Sequence, residues 1–344
     1  RPPQTFLVVY DLGSANLWVP GGGCRACGSA RQRHFDGRAS DSYRTSDVGV
    51  QLSSGPGKCA GYLSRDTVYL GNATVYGGIF MEARATTGHL SESEIDGVLG
   101  LGLPQAVAPE GLETPLGALL RVYGNHLSEK VFSFDMPEDQ DEVGQLVFGA
   151  LPRKLFPNGV NWVDVAQDGS GFSHWAVSLD KATIGSTVLA GRVGVADPSA
   201  SCLIMPAVDA HTFFRLSQDI AATDSRCSAQ PPIVLTIGGE AYELSGDDYG
   251  VQRLGACELC VHADPDAHVW VLGDVFHRKF PAAYEFGGST PRVGLPALRS
   301  WRRGLPLLVA TLAAVLAAMA LASWVCTARG GVQRLPRPPA LRVA

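Results

Sequence analysis

The chain has no excess of positive charge: 28 Lys and Arg stand against 33 Asp and Glu in 344 residues, a formal net charge of −5. It also has no long run of like charge. The basic stripe with which proteins track phosphates is therefore missing, and no nucleic-acid partner is expected. None of the eight histidines stands in a His-Glu-x-x-His pattern, so the common zinc-peptidase site is absent and no metal is expected. His34, His211 and His277 read as surface or packing residues. Helical signals are scarce, while Gly (40) and Pro (22) are abundant, which excludes a helical bundle and fits a turn-rich β fold. With 46% hydrophobic residues the chain can bury a large core, so wholesale disorder is excluded. Neither an initiator Met nor a signal peptide opens the chain, which starts Arg1-Pro2-Pro3-Gln4. The expectation is a fragment, or a processed chain whose targeting segment is gone.

Short apolar runs bounded by Gly, Pro and Ser fill residues 1–300, as in Phe6-Leu7-Val8-Val9-Tyr10 and Trp270-Val271-Leu272. Two helices are expected. One follows the Thr114-Pro115 cap through Leu116 to Tyr123, and the other runs from about Ala207 to Ala222 after Pro206. The C-terminal region differs. Leu305 to Ala328 carries no charge and is rich in Leu, Ala and Val, with Trp301 and Trp324 near its ends and Arg302, Arg303 and Arg329 around it. As a helix it would span ~36 Å, enough to cross a hydrocarbon core of ~30 Å, and it reads as a single-pass anchor with a short tail, 329–344.

Eight cysteines are present: Cys24, Cys27, Cys59, Cys202, Cys227, Cys257, Cys260 and Cys326. Cys24/Cys27 and Cys257/Cys260 are C-x-x-C pairs. They lie over half the chain apart, too far for a compact zinc module, and the βαβ context of a redox site is missing. Local disulfides are the expected reading, and they imply an oxidising compartment. The sequon Asn72-Ala73-Thr74 makes Asn72 a candidate glycosylation site. Seven cysteines outside the anchor leave at least one unpaired. Cys202 reads as a buried thiol acting as a small hydrophobe.

A loose internal duplication is the informative feature. Val8-Val9-Tyr10-Asp11-Leu12-Gly13-Ser14 places an Asp after an apolar run, and Val193-Gly194-Val195-Ala196-Asp197-Pro198-Ser199-Ala200 does so again. Each is followed, roughly 75 to 90 residues later, by an apolar-apolar-Gly element, Val98-Leu99-Gly100 and Val271-Leu272-Gly273. Two half-chains related by a pseudo-twofold axis would bring the two carboxylates face to face at a cleft.

At these residues the sequence resembles the pepsin-like aspartic endopeptidases. Asp11-Leu12-Gly13-Ser14-Ala15-Asn16-Leu17-Trp18-Val19-Pro20 is similar to that family's first active-site segment, usually Asp-Thr-Gly-Ser-x-Asn-Leu-Trp-Val-Pro. Phe35-Asp36 through Ser40 to Tyr43, Ile95-Asp96-Gly97-Val98-Leu99-Gly100, Asn161-Trp162-Val163, Trp270-Val271-Leu272-Gly273-Asp274 and Val293-Gly294-Leu295 match in the family's order. The resemblance implies an all-β bilobal fold, with an N-terminal lobe (1–160), a C-terminal lobe (161–300) and the C-terminal transmembrane helix (305–328) added. It implies Asp11 and Asp197 as the catalytic pair, with polypeptide substrates, no cofactor and a monomeric state. It makes Cys227 the first member of a second-lobe disulfide, with Cys257 or Cys260 as partner. Localisation follows as a single-pass protein of the secretory or endomembrane pathway, its catalytic lobes lumenal or extracellular.

The active-site loops depart from the family pattern. Leu12 and Pro198 stand where Thr or Ser hydroxyls normally interlock the two loops. Gly13 is kept in the first half, but its counterpart is Ser199. Ser14, which in the family bonds the outer carboxylate oxygen, is answered by Ala200. In the flap, Ser54-Gly55-Pro56-Gly57 aligns with the family's hairpin tip, so Ser54 replaces a Tyr that closes over substrate, while Gly55, Gly57 and the supporting Trp18 remain. Retention of both aspartates points to a peptide hydrolase. The altered loops point to the alternative, a catalytically inactive ectodomain that binds peptides or proteins.

Overall fold

The computed structural model describes residues 3–24, 27–28, 32–54, 57–88, 95–103, 113–137, 143–167, 174–189 and 191–298. All of these residues except Leu298 belong to one compact unit, Arg1–Ala297. The expected span at 305–328, the tail, Cys326 and Gly55 of the hairpin tip lie outside the described residues. Among the described residues no helix is long and apolar enough to cross a membrane.

Strands β1 (Val8–Asp11), β2 (Leu17–Pro20), β3 (Arg44–Ser54), β4 (Gly57–Leu70), β5 (Ala73–Thr87) and β6 (Gly97–Gly100) form one sheet, in the order β1-β6-β2-β5-β4-β3. Helix α1 (Pro115–Tyr123) begins where the Thr114-Pro115 signal puts it: the Thr114 hydroxyl accepts from the Gly117 amide at 2.9 Å. Its Ala118 and Leu119 pack on Val75 of β5. Next come β7 (Val131–Asp135), β8 (Gln145–Phe148) and β9 (Val160–Asp164). The second half continues with β10 (Ala176–Leu179), β11 (Lys181–Ile184), β12 (Thr187–Leu189), β13 (Arg192–Ala196) and β14 (Leu203–Pro206). Helix α2 (Ala207–Ala221) follows, matching the expected Ala207–Ala222 span closely. Then come β15 (Ile233–Ile237), β16 (Glu240–Leu244), the short α3 (Gly246–Tyr249), β17 (Gly250–Arg253), β18 (Ala256–Leu259), β19 (Val261–Asp264) and β20 (Trp270–Leu272). The one-turn α4 (Asp274–His277), β21 (Ala283–Glu285) and β22 (Arg292–Pro296) close the unit.

The duplication seen in the sequence is repeated in the topology. In the first sheet β1 runs parallel to β6, β6 antiparallel to β2, and β2 parallel to β5. In the sheet β10-β13-β20-β14-β19, β13 runs parallel to β20, β20 antiparallel to β14, and β14 parallel to β19. Each apolar-apolar-Gly element therefore sits between the strand that carries the chain to its Asp and the strand that follows that Asp. A further sheet, β8-β7-β21-β22-β9, draws on residues 131–164 and 283–296 together. The boundary expected at 160/161 falls inside β9, which pairs with β22 along its whole length.

The local expectation holds for one C-x-x-C pair and fails for the other, while Cys227 takes one of the two partners the resemblance implies. Cys24–Cys27 is a disulfide, but Cys257 joins Cys227 and Cys260 joins Cys202. Cys257 lies on β18 and Cys260 just beyond it, and side chains three positions apart on an extended chain face opposite ways, with Cα atoms ~10 Å apart. A disulfide needs less than ~7 Å. Cys202 is therefore a disulfide partner and not a buried thiol. Among the described residues Cys59 is the free cysteine; burial pushes its thiol up to about 12, so it is not a nucleophile.

A cavity of about 600 Å³ lies against one face of the first sheet, lined by Phe6, Val8, Leu17, Phe35, Phe80 and Leu99 among others. Neither Asp11 nor Asp197 lines it.

Candidate active site

Asp11 is the last residue of β1, and Asp197 directly follows β13. The loops after them need close support from the glycine elements. A Cβ on Gly100 would lie 2.6 Å from the Ser14 carbonyl oxygen, and one on Gly273 would lie 2.5 Å from that of Ala200, so only glycine fits either place. The matching bonds are Gly102 N–H to the Ser14 carbonyl at 2.8 Å and Asp274 N–H to the Ala200 carbonyl at 2.6 Å. Sequence elements separated by 75 to 90 residues thus hold the two loops in equivalent positions.

The two carboxylates meet at Gly13. A Cβ there would be 3.2 Å from Asp11 Oδ1 and 3.8 Å from Asp197 Oδ2, so both side chains flank the same glycine. Asp11 is oriented as its sequence suggests: the Gly13 amide donates to Oδ1 at 2.8 Å and the Ser14 hydroxyl to Oδ2 at 2.7 Å. Asp197 is oriented otherwise. Ser199 donates to Asp197 Oδ1 through both its amide, at 3.0 Å, and its hydroxyl, at 2.5 Å. The hydroxyl missing at Ala200 is thus supplied one residue earlier, but to the oxygen that the amide already serves. Ser199 needs no glycine-like backbone, since Leu254 is the described non-glycine residue at positive φ. Burial raises the Asp197 carboxyl above the ordinary carboxylate range and the negative charge of Asp11 adds to this, while the Ser199 donors and His174 oppose it.

Leu12 is completely buried and Pro198 half-buried, so apolar groups occupy both positions where the family places interlocking hydroxyls. Behind the loops lies an aromatic floor. The Trp175 indole donates to the Leu101 carbonyl at 2.9 Å, tying the second half of the chain to the first. The Tyr284 hydroxyl donates to the Ala196 carbonyl at 3.3 Å, one residue before Asp197, and its ring stacks on Phe132 at 4.8 Å. The sequence shows no partner for either ring, so these bonds are visible only in the fold. Trp18 is buried with Leu52 and Cys59, which pair across the β3–β4 hairpin close to its turn. That hairpin pairs up to Ser54 opposite Gly57. Asn72 sits exposed on the turn between β4 and β5. Among the described residues no group of three His, Cys, Asp or Glu is placed to hold a metal ion.

Comparison with known proteins bears directly on this geometry. The family model described as eukaryotic aspartyl protease matches residues 1–298. The chain belongs to that family. This aspartyl protease is 28% identical over 316 residues to gastricsin of Mus musculus, covering 86% of the chain and 78% of that relative. It is 28% identical over 309 residues to pepsin A of Canis lupus familiaris, with the same coverage of both. Pregnancy-associated glycoprotein 2 of Sus scrofa is 30% identical over 256 residues, covering 72% of the chain and 59% of that protein. Gastricsin and pepsin A are aspartic endopeptidases of the pepsin type, and this chain is an aspartic peptidase by its family membership.

Proposed function

We propose that this aspartyl protease hydrolyses peptide bonds within extended polypeptides, with a water between Asp11 and Asp197 as the nucleophile. The observation that carries this is the pair of carboxylates flanking Gly13 from topologically equivalent loops. Two carboxyl groups this close share one proton, because the doubly ionised pair is repelled and the neutral pair has no base. The ionised member takes a proton from the water while the protonated member polarises the scissile carbonyl. The pair titrates as a unit and works best in acid. No cofactor enters the chemistry. Apolar residues flanking the cut are favoured, since pockets that take extended peptides are mostly apolar. Residues 1–160 and 161–300 form the two lobes, and the β3–β4 hairpin covers the cleft.

The chain acts as a monomer anchored through Leu305–Ala328, with its catalytic part lumenal or extracellular. The three disulfides and the exposed sequon at Asn72 support an oxidising, glycosylating compartment. A second reading, a cleft that binds peptides without cutting them, is favoured by one observation: Leu12 and Pro198 remove the hydroxyls that would lock the loops together. Hydrolysis of a quenched-fluorescent peptide library separates the two. Cleavage that disappears in both Asp11→Ala and Asp197→Ala supports the hydrolase; peptide binding without cleavage by folded protein supports the second reading.

A further inference from the structure

The cavity against the first sheet is a formed pocket that neither Asp11 nor Asp197 lines. Five strands of that sheet turn one apolar face to it, through Val8 (β1), Leu17 (β2), Leu70 (β4), Phe80 (β5) and Leu99 (β6). Phe6 and Phe35 extend the wall. The Phe35 ring meets Phe80 edge-on with centroids 5.1 Å apart, and Phe6 lies tilted to Phe35 at 6.4 Å. At about 600 Å³ the pocket falls in the range that takes small molecules. Asp41, Ser42 and Tyr69 also line it and are exposed, so it opens to solvent.

One polar group in this apolar wall is only half served. Asp66, on β4, is 8% exposed and lines the pocket. Its Oδ1 accepts three bonds: from the Ser40 hydroxyl at 3.0 Å, the Ser42 hydroxyl at 2.5 Å and the Thr67 amide at 2.7 Å. Among the described residues no group donates to its Oδ2, and no cation pairs with the carboxylate. A carboxylate accepts through both oxygens, and a buried charge without a counter-charge is costly. Of the described residues lining the pocket, Asp41 and Asp66 are acidic and none is Lys, Arg or His. The complement of such a pocket is an apolar body that ends in a cationic donor.

We propose that this pocket binds an arylalkyl amine, its ring among Phe6, Phe35 and Phe80 and its ammonium donating to Asp66 Oδ2. Aromatic rings favour edge-on and offset contacts, which the mutually tilted rings of this wall offer. An ammonium brings both the charge and the N–H donor that the open oxygen takes. The site is separate from the aspartate pair, and it stands whether or not that pair cleaves peptides.

The test is calorimetric titration of the full chain at neutral pH with phenylbutylamine, phenylbutanol and phenylbutyrate. Wild type, Asp66→Asn and Asp11→Asn are compared. The proposal predicts that the wild type binds the amine at least about tenfold more tightly than the alcohol or the carboxylate, the gain a charge-assisted bond gives. Asp66→Asn keeps one oxygen for the Ser40, Ser42 and Thr67 donors, so it loses the preference for the amine and still binds the alcohol. Asp11→Asn binds all three probes as the wild type does. In the wild type, NOEs from the ring of the bound amine to Phe35 and Phe80 locate it without any substitution. Equal affinity for the three probes would make this a plain apolar groove and overturn the proposal. Absence of binding overturns it too, as does amine binding that lacks those NOEs or is lost in Asp11→Asn.

Discussion

His277 gives this fold a built-in acid weakness. It ends α4, one turn after Gly273, in contact with Phe276, and it is fully buried. Neither ring nitrogen makes a hydrogen bond of ordinary geometry. Burial pushes the imidazole down to about 4 from its ordinary 6.5; the backbone of Phe280 and Leu272 and the Asp274 carboxylate pull the other way without restoring it. The folded state thus holds this base neutral where the unfolded chain protonates it. Its penalty is absent above about pH 6.5, grows as the pH falls, and levels off below the folded value of about 4. At 1.36 kcal/mol per unit, the gap from 6.5 to about 4 costs about 3 kcal/mol, a large share of a typical domain's stability. The His277→Leu variant removes the titrating ring at similar volume. Urea unfolding followed by Trp fluorescence, at a series of pH values from neutral to below 4, measures the difference. The wild type should lose about 3 kcal/mol more than the variant over that range. Asp209 also loses its contribution in acid, because the Arg192 and Trp270 donors outweigh its burial and leave it below the ordinary range, but both proteins share that loss. Stability curves that stay parallel across the range would refute the reasoning.

Ser199→Ala removes the hydroxyl donor on Asp197 Oδ1. A bond to a charged acceptor is worth ~1.5–3 kcal/mol, so Asp197 should titrate at higher pH and kcat/KM should fall by roughly tenfold or more, read from a pH–rate profile. Breaking Cys202–Cys260 by the double change to Ser opens a link with a sequence separation of 58. Chain entropy puts the cost at about 4 kcal/mol, to be read as a drop in the urea midpoint at unchanged slope.

The parts of this fold that were legible in the sequence are those fixed by local chemistry. Thr114-Pro115 starts α1, Pro206 precedes α2, and the glycines at 100 and 273 mark where backbone must approach backbone. Asp11 and its Gly13 and Ser14 donors could be read position by position, because the first loop keeps its spacing. The second loop could not. Ser199 looked like a lost glycine, and only the folded loop shows its hydroxyl turned onto Asp197. The pairing of Cys257 and Cys260 was hidden because C-x-x-C spacing suggests a turn, whereas Cys257 lies on a strand and the two side chains part company.

The central claim is that Asp11 and Asp197 act as one titrating pair on a water molecule. The most direct test is the pH dependence of kcat/KM for a peptide cut by the wild type, Asp11→Asn and Asp197→Asn, between about pH 3 and 7. The account predicts a bell-shaped profile with its maximum in acid, and loss of cleavage in each variant. Cleavage that survives either substitution, or a folded wild type that binds peptide and cuts none of it, would contradict it.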